Sequence, residues 1–193
     1  MTRSTDQLIY DLRARASDWE TRLDEGTRDI DGSPLSLTFP ELPEVATPGM
    51  IATAEAALGF SLPPLLTRIY TEVANGGFGP DYGLIGLAGG HVDDQGHDIV
   101  GLYRQTCSQS WRQHRPHWPD HCLRILHWGC AMYTTVDCST PDYRLYHFEP
   151  NPSEEELGFP NCLIPHRYSL GEFFEAWLDG AEIMCDVFPD YEP

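Results

Sequence analysis

The sequence predicts an α+β domain, a central and mostly antiparallel sheet flanked by helices. Two observations carry this. Apolar residues recur at three- and four-residue steps near both ends of the chain, the period of a helix that buries one face. Between those ends, short runs rich in Leu, Ile, Val, Thr and Tyr are separated by Gly, Pro, Asp and Ser. Helices grouped around a strand-rich middle, rather than alternating with single strands, point to α+β rather than to a parallel α/β sheet.

An N-terminal amphipathic helix is expected over residues 4–24. Ser4 caps it with Gln7 at the capping-box spacing, Leu8, Leu12, Ala16, Trp19 and Leu23 share one face, and Gly26 stops it. Residues 25–47 are rich in Pro, Gly and acid, so they read as a connection in which Leu35–Phe39 forms at most a short strand. Thr47-Pro48 opens a second helix that Gly59 ends, and Leu62-Pro63-Pro64 opens a third that Asn75-Gly76-Gly77 closes. Gly83–Leu87 is expected to be a strand and residues 98–115 a helix bounded by Pro116 and Pro119. Leu123–Trp128, Ala131–Cys138 and Tyr143–Phe148 read as three strands, with Ser139–Asp142 as the last turn between them. Glu149–Gly158 is an acidic loop. Ser169 caps a final helix that buries Leu170, Phe173, Phe174 and Trp177 before Gly180.

Composition narrows the function. The 193 residues suffice for one domain with its own core. No apolar run reaches the ~18 residues of a membrane span, and the first residues lack the apolar stretch of a signal peptide, so a cytoplasmic protein is expected. Six Cys in a core-rich chain of this length read as reduced, mostly buried thiols. Twelve Arg, no Lys and thirty Asp or Glu give a net charge of −18. Without lysine there is no phosphate-loop lysine, no Schiff base and no lysine general base. The acidity opposes binding to nucleic acid or to an anionic membrane and favours a basic protein partner, although it also serves solubility.

One segment carries a more specific pattern. Glu55, Leu58-Gly59, Leu62-Pro63, Tyr70, Asn75-Gly76-Gly77 and Phe78-Gly79-Pro80 occur in that order, followed by Gly83–Leu87. Later come Trp128-Gly129-Cys130 and Val136-Asp137-Cys138-Ser139. In combination these resemble the SUKH superfamily, in particular its Smi/Knr-type domain. The resemblance spans about residues 47–180, leaving residues 1–46 as an extension and 181–193 as an acidic tail. It implies a module that binds other proteins without catalysis or cofactor. Many bacterial members resemble immunity proteins that neutralise toxins, often nucleases, while fungal relatives are regulatory interaction modules. Both an immunity protein against a basic toxin and a housekeeping interaction domain therefore remain open. The motif residues themselves read as structural, because Gly59, Pro63 and Pro64 break the chain sharply and Asn75-Gly76-Gly77 reverse it.

Among the acidic clusters, Asp93-Asp94 and Glu154-Glu155-Glu156 are either solvated loops or a patch that faces a basic partner. Tyr82, Trp111, Trp118 and Tyr191 are the candidate aromatic anchors for such a partner. The competing chemistry is a metal site at His114, His117, His121, Cys122, His127 and Cys130. Against it stand the absence of a Cys-x-x-Cys pair and the two prolines that interrupt any helix aligning the ligands. Cys130 and Cys138 are expected to fill the core. On one continuous strand they would stand about 26 Å apart, too far for a disulfide. No Gly-x-Ser-x-Gly elbow occurs, and nothing selects a catalytic pair among thirty carboxylates.

Overall fold

The computed structural model describes residues 3–17, 41–108, 118–150, 162–181 and 183. It is α+β: five helices and a four-stranded antiparallel sheet among the described residues. None of these helices is long and apolar enough to cross a membrane.

Helix α1 runs Thr5–Ser17 and buries Leu8, Ile9, Leu12 and Ala16. Ser4 starts it as expected, its hydroxyl accepting the Gln7 amide at 3.2 Å. The positions expected to continue the helix, Trp19 and Leu23, lie outside the described residues, as does Leu35–Phe39. α1 is not a separate appendage, because its apolar face enters the same core as the rest of the chain.

Helix α2 spans Pro48–Leu58, capped by Thr47 at one end and by Gly59 at φ 83° at the other. The carboxylate of Glu55 then accepts the Leu62 amide at 2.9 Å, which ties down the turn leading into α3, Pro64–Glu72. Arg68 on α3 pairs with Glu72 and with Asp6 of α1, joining the two helices at the surface.

The chain then folds around Asn75. This residue is 1 % exposed; its side-chain oxygen accepts the Leu87 amide at 2.8 Å and its backbone carbonyl accepts the His91 amide at 3.0 Å. Buried Tyr70 donates to the Ile85 carbonyl at 2.6 Å. These bonds curl residues 83–87 into a loop instead of the expected strand. Only a single bridge, Leu84 to Leu126, and the Ile85 amide on the Ile125 carbonyl touch the sheet.

Helix α4, Ile99–Cys107, starts on the Asp98 cap and packs on strand β1, Cys122–His127. β2, Tyr133–Asp137, β3, Arg144–Phe148, and β4, Leu163–Ser169, complete a meander in the order β1-β2-β3-β4. β1 and β2 follow their expected ranges closely. Every residue of β1 is buried, and β2 is buried through Val136, so the middle of the fold is covered on both faces. β4 was not expected, and it carries Pro165. It is one of the two edge strands of the sheet, where a residue without an amide proton is tolerated.

Helix α5, Leu170–Leu178, is capped by Ser169 with Glu172 in a reciprocal capping box and buries the four apolar residues expected of it. It packs against α1 and β4. Arg15 of α1 lies over the Trp177 ring, and Arg3 bonds Asp179 just beyond the helix.

Candidate partner-binding face

The most constructed surface feature lies where loop 81–97 meets the tip of the β1–β2 hairpin. Its foundation is Asp93. One carboxylate oxygen of Asp93 accepts the amides of Gln95 and His97 at 3.0 and 2.7 Å, folding residues 93–97 into a tight turn. The other accepts the hydroxyl of Tyr133 at 3.1 Å, which fastens the loop to β2. Burial, with the negative charge of Asp93, holds the Tyr133 phenol above its ordinary range, so Tyr133 stays a donor. Arg124 lies over this ring, 5.0 Å from its centre, and donates to the Leu102 carbonyl, Gln105 and Thr106. Burial lowers the Arg124 guanidinium to about 10, and it stays cationic at neutral pH.

Three rings pack in series outward from this base at tilted angles. His127 is packed 4.9 Å from Tyr133, and Tyr82 is packed 5.2 Å from His127. Tyr133 and His127 are buried, whereas Tyr82 is 60 % exposed. The backbone under Tyr82 is held as well. His91 Nε2 donates to the Tyr82 carbonyl at 2.9 Å, and burial keeps the His91 imidazole below its ordinary pKa and neutral. The hairpin tip leaves room for the ring. Gly129 sits at φ 79°, and a Cβ there would come within 3.1 Å of the Tyr82 ring. Asp94 completes the face, its side chain 56 % exposed and its carboxylate 3.9 Å from His127 Nε2. Val92, 40 % exposed, is in the same loop.

Tyr82 and Asp94 are thus brought together, and two other expected contacts are corrected. Asp93 has no exposed side-chain surface and serves the turn and Tyr133. Trp118 is only 4 % exposed. Its ring meets Phe148 edge-on at 5.2 Å and its indole donates to the Cys122 carbonyl at 3.3 Å, so it is part of the core. Glu154, Glu155, Glu156, Trp111 and Tyr191 lie outside the described residues. The supports His91 and His127 were not anticipated as a pair. They are 36 residues apart, and only the stacking of Tyr82 over β1 joins them.

The alternative metal cluster is dispersed where it is described. Cys122 and His127 sit at opposite ends of β1, roughly 16 Å apart at ~3.3 Å per residue. The His121 ring packs on Phe60 at 4.8 Å instead of facing Cys122. His114 and His117 lie outside the described residues, and no group of three metal-ligating side chains is found among those described. Cys130 does not fill the core. It is exposed in the hairpin turn at φ 48°, and that turn also removes the continuous strand that would have joined it to Cys138. Cys138 is half-buried. Burial pushes the thiols of Cys122 and Cys138 up to about 12, which leaves them protonated and unreactive at neutral pH.

The residues of the resemblance have local duties. Asn75 and Gly76 form the junction with residues 84–87, and Phe78 is fully buried beside Trp177. Gly79 at φ 117° leads into Pro80, and Trp128 donates to Thr134 at 2.8 Å. Asp137 caps the β2–β3 turn through the amide and hydroxyl of Ser139. No family model matches the chain, and no curated protein matches it.

Proposed function

We propose that this chain is a non-catalytic protein-binding module, an immunity-type protein that neutralises a basic toxin in the cytoplasm. The observation that carries the reading is Tyr82, an exposed aromatic ring immobilised on a buried stack and flanked by the carboxylate of Asp94. Interfaces draw most of their affinity from a few preorganised aromatic or arginine anchors, and a ring already fixed loses little entropy on binding. The surrounding charge fits the same role. A chain of −18 accelerates encounter with a cationic partner and occupies the surface where a nuclease would hold phosphates. The Smi/Knr-type resemblance of residues 47–180 supports the immunity assignment.

The test is co-expression with the toxic C-terminal region of a secreted protein encoded beside this gene. Rescue of growth, with a salt-sensitive complex recovered from the cells, is the expected result. In that complex Tyr82→Ala should weaken affinity about 30-fold, mainly through faster dissociation, since central aromatic anchors contribute about 2 kcal/mol. Asp94→Asn should slow association several-fold and flatten its salt dependence. Toxicity without rescue would sink the immunity reading. A complex indifferent to Tyr82→Ala would move the interface elsewhere.

A further inference from the structure

Between α2 and α4 lies a cleft of about 690 Å³, which shares no residue with the Tyr82 face. We infer that this cleft binds a small amphipathic carboxylate, its apolar body against Met50, Ala54, Ala57, Ala88 and Val100 and its head group on Arg104.

Three observations support the assignment. The first is size and lining. The volume falls within the ~300–1,000 Å³ of small-ligand pockets, and the lining is mainly apolar, with Met50 as an adaptable wall. The small side chains of Ala54, Ala57 and Ala88 keep the space open. The second is the state of Arg104. Thirty carboxylates serve twelve arginines in this chain, and Arg3, Arg13, Arg68 and Arg144 are each paired with one. Arg15 and Arg167 lie on aromatic rings, and Arg124 is buried among acceptors. Arg104 is exposed at the cleft and, among the described residues, has neither a carboxylate nor a ring. A guanidinium with neither partner among the described residues presents the fork geometry that a ligand carboxylate matches.

The third observation sets orientation. Asp98 also lines the cleft, but one of its oxygens is held by the Gly101 amide at 2.6 Å at the start of α4, where the helix dipole favours its charge. Six residues separate it from Arg104, about 9 Å along the helix. The ligand's head group is therefore directed to the Arg104 end and away from Asp98.

Octanoate, 1-octanol and octylammonium separate the contributions, titrated into the full chain and followed by amide chemical shifts and calorimetry. Octanoate should bind saturably, with shifts centred on Ala54, Ala57 and Gly101. Arg104→Gln should weaken octanoate about tenfold, the size of one charge-assisted hydrogen bond, and leave octanol unchanged. Ala57→Leu should block both. Ala57 is an exposed helix position, so that variant keeps the fold. Absence of saturable octanoate binding, equal affinity in Arg104→Gln, or octylammonium binding at least as tightly would each overturn the inference. None of these results depends on a toxin, so the proposed function stands or falls separately.

Discussion

Replacing Gly86 with Ala is expected to unfold the chain or to remove at least about 4 kcal/mol of its stability. A Cβ at this position would stand 2.2 Å from the Asn75 carbonyl oxygen and 2.8 Å from the His91 nitrogen. Both are backbone atoms inside a hydrogen-bonded junction, so neither has a rotamer through which to retreat. The Asn75 carbonyl accepts His91, the Gly86 amide donates to the His91 carbonyl at 2.7 Å, and the Gly86 carbonyl accepts Ile99 at the start of α4. Relief of the clash would break this set and detach α4 from the loop that positions Tyr82. Gly96→Ala is the control. Gly96 has φ 81° and nothing within 4 Å of an added Cβ, so that change meets only the left-handed backbone penalty, about 1–2 kcal/mol. Urea unfolding followed by circular dichroism measures both. A Gly86→Ala chain within about 1 kcal/mol of its parent would mean that the junction yields easily and does not organise the fold.

The same junction shows where the sequence was legible. Helix starts were readable because caps are local. Thr47-Pro48, Asp98 and Ser169 each begin a helix within a residue or two of the expected place. β1 and β2 were readable because near-continuous burial requires runs of apolar and β-branched residues, and β3 because Leu145 and His147-Phe148 are buried between turn residues. Gly83–Leu87 carries such a run, yet Asn75, eight residues earlier, takes up the Leu87 amide and bends the segment out of the sheet. That is a tertiary contact, invisible to local pattern. β4 was missed for the opposite reason. Pro165 and His166 break the strand pattern, and only its edge position admits them. The candidate face divides along the same line. In sequence Tyr82 and Trp118 look alike, each an aromatic residue near an expected loop. What separates them is Phe148 closing over the tryptophan from β3.

His147→Phe should be less sensitive than its parent to lowering the pH from 7 to 5. His147 is fully buried on β3, opposite Thr134 and Ile164. Burial, with a smaller effect from His166, pushes its imidazole down to about 4. In the unfolded chain the ordinary value is about 6.5. Between these values the unfolded state takes up a proton that the folded state refuses, so stability is fully present above about 6.5 and is lost on acidification toward 4. The linkage amounts to about 2 kcal/mol between pH 7 and 5, of roughly 3 in all. Lowered carboxylates act in the same direction but later. Glu72 and Asp179, held down by Arg68 and Arg3, lose their contribution only below the ordinary carboxylate range. His91, also held down by burial, adds to the loss, whereas Asp81, whose carboxyl burial raises to about 6, opposes it because the folded state takes up that proton first; the test is therefore the difference in slope between parent and variant. Phenylalanine occupies similar space and does not titrate, so the informative quantity is the change in unfolding free energy with pH rather than its absolute value. A slope unchanged in His147→Phe would place the proton uptake elsewhere. A flattened slope would mean that the sheet beneath the proposed interface holds one imidazole neutral, and that acidification weakens the fold through its centre before its surface ion pairs are lost.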